Sequence, residues 1–138
     1  MSLSPQKFRE LVFQLLYSRD AHSPDPADMQ ELMMAQLEVP KKAVRLAQDR
    51  LEAVLKELPD IDNLIASAST SYEFERIQMV TKNILRLAVY ELNFDKTIPP
   101  KVVIAEAMRL SRKFGAPESA SFVNAVLDHL HQKDAPQQ

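Results

Sequence analysis

Apolar residues recur at helical spacing along most of the chain, and the broadest arc lies near its middle. Ile77, Val80, Ile84, Leu87 and Ala88 fall three or four positions apart, and Leu85, Val89 and Leu92 widen that stripe. Such an arc predicts a helix over Val80–Phe94 contacted by neighbours on most of its circumference. The polar remainder (Lys82, Arg86, Tyr90 and Asn93) is a narrow strip. Glu91 breaks the pattern, because it shares the side of Ile84, Leu87 and Ala88. A carboxylate there needs hydrogen bonds from a neighbouring helix start or an arginine. Arg86 reads as an ion-pair or capping donor.

The same reading places helices on both sides. Ser4-Pro5 is an N-cap followed by proline at the first helical position, opening a helix to about Arg19. Phe8, Leu11, Val12, Leu15 and Leu16 form its inward stripe, while Arg9, Phe13 and Tyr17 make a second row at i+4 spacing. Spacing leaves that row two readings: packing against another helix, the simpler one, or stacking and phosphate contacts. A loop with Pro24 and Pro26 precedes a short helix through Met29, Leu32, Met33 and Leu37, within an acidic stretch that has no Lys or Arg. Nucleic acid should avoid such a surface.

A third helix runs from Pro40 to Leu58, with Val44, Ala47, Leu51, Val54, Leu55 and Leu58 inward and a mixed-charge outer face; Pro59-Asp60 ends it. Ile61, Leu64, Ile65 and Ala68 mark another short helix. Tyr72 and Phe74 then read either as anchors of an elbow, the simpler reading, or as a small partner-facing patch, and Glu73 and Glu75 suit the positive end of the central helix. Beyond a tight reversal at Asp95–Pro100, Val103, Ala107, Leu110 and Phe114 line one helix, with Arg109, Arg112 and Lys113 near its carbonyl end. Gly115 is expected as a left-handed cap. Phe122, Val123, Val126, Leu127 and Leu130 line the last helix, with a frayed tail over 133–138. The fold class expected is all-α, with about seven helices.

Composition agrees. A chain of 138 residues that is 46% hydrophobic suits one compact domain, and one Gly against nine Pro favours helices with proline-marked breaks. No apolar run is long enough to span a bilayer, so a cytoplasmic protein is expected, with no membrane partner. A formal net charge of −2 implies no general attraction to nucleic acid. With zero Cys there is neither a disulfide nor a thiolate nucleophile. His129 and His131 are two apart and point to different sides of a helix, so they cannot share a metal. No glycine-rich phosphate loop or nucleophile elbow occurs. The expectation is a binding module with no catalytic residues, cofactor or metal.

Three stretches together resemble the NusB family of transcription antitermination factors. They are Arg9-Glu-Leu-Val-Phe-Gln-Leu-Leu-Tyr17, Ile84-Leu-Arg-Leu-Ala-Val-Tyr-Glu-Leu92, and the run from Ile98 through Phe114-Gly115 to Ser121-Phe-Val-Asn-Ala-Val-Leu-Asp128. Each alone is a modest amphipathic pattern; their order and spacing make them specific. The resemblance implies two packed helical subbundles in a single domain over 1–138. It also implies a heterodimer with NusE, a small-subunit ribosomal protein, that binds single-stranded boxA RNA and joins the elongating RNA polymerase. Carried onto this chain, the RNA side comprises Lys7, Arg9, Phe13, Tyr17, Ser121 and Phe122, and the NusE side Tyr72, Glu75, Gln78 and Thr81.

The chain departs from the family in its basic residues. Many members carry an arginine-rich segment before the first helix, where this chain has only Lys7 and Arg9. Ser121 stands where lysine is common, and Ala125 replaces a usual glycine. Each missing phosphate contact flattens the log–log salt slope of single-strand binding by about 0.7. Weak RNA binding alone is expected, with NusE supplying most of the basic surface. The alternatives are a protein-interaction module with little RNA binding of its own, or an accessory module for RNA modification. For the odd carboxylate the expectation is specific: Glu91→Gln should cost about 1–3 kcal/mol in urea denaturation, and a change of a few tenths would place Glu91 at the surface.

Overall fold

A computed structural model describes residues 3–21 and 39–134, and every regular element among them is helical. The expected short helix through Met29–Leu37 lies outside the described residues. The helices sort into two compact units, residues 1–56 and 57–138.

The first unit contains α1, Pro5–Asp20, packed on α2, Lys41–Lys56. Ser4 caps α1 as expected, its Oγ accepting from the Lys7 N–H at 3.2 Å. Leu11, Val12, Leu15 and Leu16 are buried on α1, and Ala43, Val44, Ala47 and Val54 on α2. The α1 stripe is thus wider than its primary row, because Arg9, Glu10 and Phe13 are buried as well.

The second unit is built from α3 (Leu58–Ala68), α4 (Met79–Val89), α5 (Pro100–Phe114) and α6 (Ser119–Asp134). The last helix packs against the other three. The break between α2 and α3 falls earlier than expected. Leu58 and Pro59 open α3 instead of closing the helix before it. Proline lacks a donor, so it fits a first turn whose N–H groups have no intrahelical partner. Between α3 and α4, Phe74–Arg76 forms a single 3₁₀ turn. Glu73 and Glu75 therefore sit at this turn, ahead of the start of α4. Glu73 makes a long contact to Arg76, 3.8 Å, with both side chains nearly fully exposed. Such a pair contributes little.

The central helix is buried as its apolar arc requires, with every residue from Asn83 to Val89 inside. It does not continue as an α-helix to Phe94. Tyr90–Phe94 is a π turn, closed by the Asp95 N–H donating to the Tyr90 carbonyl at 2.9 Å. Tyr90 and Phe94 stack on it at 6.2 Å and 15°. Glu91 is 5% exposed, so the odd carboxylate is inside.

Arg86 occupies the expected polar strip, yet it is buried too. Its Nε and Nη2 donate to the two carboxylate oxygens of Asp62 on α3 at 2.9 and 3.0 Å. A third bond, 3.2 Å, runs from Nη1 to Asn83 Oδ1. The Asn83 amide in turn donates to the Met79 carbonyl at 2.9 Å. The guanidinium also lies 5.8 Å from the Phe74 ring centroid, and Lys82 Nζ lies 4.5 Å from it. This cluster ties α3, the 3₁₀ turn and α4 together.

Gly115 ends α5 differently from the left-handed cap expected. Its φ of −105° and ψ of −176° are extended, a conformation open to any residue. The constraint is space: a Cβ would lie 2.8 Å from Ser119 Oγ and 2.9 Å from the Ser111 carbonyl oxygen. Ser119 Oγ is held by donating to the Ala116 carbonyl at 2.6 Å, and the Gly115 N–H donates to Ser111 at 2.9 Å. Glycine lets the backbone pass from α5 to α6 at this separation.

Two stability outcomes follow from these contacts. Gly115→Ala should cost about 1–3 kcal/mol, because the Ser111 backbone must give way. Arg86→Lys should cost about 1–3 kcal/mol, since an ammonium cannot reproduce the fork to Asp62 while also reaching Asn83. Urea midpoints measure both, and a double-mutant cycle of Arg86→Lys with Asp62→Asn should give clear non-additivity.

Candidate nucleic-acid and partner interfaces

On α1 the predicted RNA row is divided by burial. Lys7 is exposed and Tyr17 is 37% exposed, whereas Arg9 and Phe13 are inside at 8% and 3%. The Phe13 ring backs that of Tyr17, with centroids 6.3 Å apart and planes tilted by 40°. The outward chemistry of this row is thus one ammonium group and one phenol ring supported from behind. The sequence shows the i+4 spacing but not how far the apolar stripe spreads round the helix. In the same unit, Leu3, Pro5, Phe8, Ala43 and Leu46 line an apolar cleft that the sequence reading did not anticipate.

In the second unit, residues assigned to two different partners meet in one cleft of about 300 Å³. Tyr72, Gln78 and Thr81, predicted for a protein partner, line it together with Phe122, predicted for RNA. The Tyr72 and Phe122 rings meet edge to face, 5.3 Å between centroids at 82°. Tyr72 is 57% exposed, Phe122 is half-buried, and Thr81 is buried. The Tyr72 carbonyl accepts from Ser69 Oγ at 2.6 Å, which closes the chain just before the 3₁₀ turn.

Two predicted residues lie outside this lining. Glu75 is exposed on the 3₁₀ turn. Ser121 is exposed on the first turn of α6, its hydroxyl donating to the Glu118 carbonyl at 3.1 Å. Arg76, Ile77, Ala116, Glu118 and Ser119 complete the cleft lining and were not assigned to a site from the sequence. Their only sequence signal was membership of two helix starts, at 72–79 and 116–122. Nothing in either stretch indicates that the other faces it.

The cleft presents an arginine, a glutamate and an amide around two aromatic rings, which suits recognition more than bond-breaking. Among the described residues no cluster of His, Asp and Glu could hold a metal ion. None of their helices is long and apolar enough to cross a membrane.

Comparison with known proteins decides the family, because the NusB family model matches residues 6–132. The chain belongs to the NusB family. It is 39% identical over 123 residues to the transcription antitermination protein NusB of Geobacter sulfurreducens, covering 88% of this chain and 89% of that protein. It is 38% identical over 125 residues to NusB of Syntrophus aciditrophicus, covering 91% and 78%. Among solved structures, T. maritima NusB aligns with a TM-score of 0.80 at 30% identity, over 99% of this chain and 96% of that one. A chain from a crystal structure of the antitermination factors NusB and NusE with double-stranded RNA aligns at 0.78 and 25% identity, over 93% and 96%. The helical body of the chain is thus that of a NusB protein nearly from end to end.

Proposed function

We propose that this chain is a transcription antitermination factor. It binds boxA of nascent ribosomal RNA as a heterodimer with NusE and joins elongating RNA polymerase in the cytoplasm. The 138 residues act as one NusB-like module without catalytic residues or cofactor. The observation that carries this reading is the match to the NusB family over residues 6–132. The likeness to a chain crystallised with NusE and RNA supports the choice of partners.

Within this reading, Lys7 and Tyr17 are the outward RNA groups of α1, with Arg9 and Phe13 holding them in place from inside. Ser121 and Phe122 at the start of α6 provide the RNA groups of the second unit. Tyr72, Glu75, Gln78 and Thr81 form the NusE side. A second reading, a protein-interaction module with little RNA binding of its own, draws support from the burial of Arg9 and Phe13. That burial leaves Lys7 as the cation that α1's row turns to solvent.

Titrating boxA RNA with and without NusE, at several salt concentrations, separates the two. The antitermination reading expects weak binding by the lone chain with a shallow salt slope, about 0.7 per phosphate contact, and much tighter binding once NusE is present. Lys7→Ala combined with Tyr17→Ala should then weaken RNA capture about tenfold, within the range for losing one base–aromatic stack, while NusE affinity holds. Tight, steeply salt-dependent binding by the lone chain would overturn the assignment of the basic surface to NusE. Absence of RNA binding even with NusE bound would favour the protein-interaction reading.

A further inference from the structure

The two predicted interfaces of the second unit meet in one cleft. Tyr72 and Phe122 are 50 positions apart in sequence, yet their rings touch across the cleft, and Gln78 and Thr81 line the same space. We infer that the Tyr72–Phe122 ring pair couples the protein partner to the RNA, so that occupation of one side of the cleft presets the other. The inference rests on the function proposed above and adds the residues through which its two ligands communicate.

The physical basis is exposure and geometry. Tyr72 is 57% exposed, belongs to a short segment pinned at its carbonyl by Ser69, and meets the Phe122 ring edge to face. Phe122 is only half-buried, on the first turn of α6. A protein seated over Gln78 and Thr81 buries Tyr72 and orders its ring. The edge-to-face contact then orders Phe122, and a base that stacks on Phe122 meets a ring already held.

The surroundings of the pair are rigid enough to transmit this. Thr81 is buried at the cleft floor, two residues before Asn83 in the hydrogen-bonded cluster of Arg86 and Asp62. On the opposite wall, Gly115 and Ser119 fix the start of α6 by close approach. Both walls are thus tied by close contacts, and the Tyr72–Phe122 pair lies between them. Linkage makes the effect reciprocal: RNA raises affinity for the partner by the factor by which the partner raises affinity for RNA. An aromatic pair of this kind supports a coupling factor of roughly 2- to 10-fold.

The test is a coupling measurement on the full chain with purified NusE and a boxA RNA oligonucleotide. RNA dissociation constants are read with NusE absent and saturating, and their ratio is the coupling factor. The ratio is compared for the unaltered chain and for Tyr72→Leu, Phe122→Leu, the double variant and Tyr72→Phe. The expected result is a ratio that falls in Tyr72→Leu by roughly 2- to 10-fold, falls no further in the double variant, and returns in Tyr72→Phe. The Tyr72→Phe arm separates loss of the ring contact from loss of folding, because it keeps the ring. A ratio unchanged in Tyr72→Leu, with both ligands still binding, overturns the inference and leaves the proposed function standing. A ratio of one in the unaltered chain overturns the inference together with the expectation that NusE tightens RNA binding. Failure of the unaltered chain to bind either ligand overturns the function and the inference together.

Discussion

A buried guanidinium has to be matched by acceptors, and in the second unit that requirement fixes most of the local geometry. Arg86 meets it with both oxygens of Asp62, the side chain of Asn83 and the ring of Phe74. Each partner comes from a different place: α3, the preceding turn of α4, and the 3₁₀ turn between them. A cation left without these groups would be strongly unfavourable in the interior, so the cluster holds the three elements against one another. Because Phe74 is in the cluster, the 3₁₀ turn is held against α4, and Tyr72 just ahead of it is aimed at Phe122. The position of Tyr72 at the cleft thus follows in part from how one arginine is satisfied.

The cleft also changes how the candidate residues should be understood. Assigned from family resemblance, they fell into an RNA set and a partner set. In the fold, Tyr72, Gln78, Thr81 and Phe122 share one space, so any ligand there acts on members of both sets. The α1 row is different in kind. It contains an inner pair, Arg9 and Phe13, and an outer pair, Lys7 and Tyr17. Within it the Phe13 ring backs that of Tyr17. Of that row, Lys7 is the cation turned to solvent.

Much of this was legible in one dimension. Helical periodicity located α1, α2 and the helices of the second unit, with most of their buried stripes, because an apolar face repeats every three or four residues whatever it packs against. Ser4 was recognisable as a cap because its hydroxyl acts on its own helix, three residues on. Glu91 was recognisable as a buried carboxylate from its place among apolar neighbours, and the structure puts it inside.

What the sequence could not determine depends on contacts between elements. The lone glycine read as a left-handed cap, yet its role is the 2.9 Å that a Cβ would leave to the Ser111 carbonyl, a distance set by the path from α5 to α6. Arg86 read as an ion-pair or capping donor, and it is one, but its partner Asp62 stands 24 residues away and could not be named from spacing. Pro59 read as a stop, yet it starts the next helix. The pairing of Tyr72 with Phe122 left no trace in either local pattern. Periodicity and capping are local properties, and they determined which segments are helices and which faces are apolar. Only packing decided which side chains meet, because that depends on where separate helices come to lie.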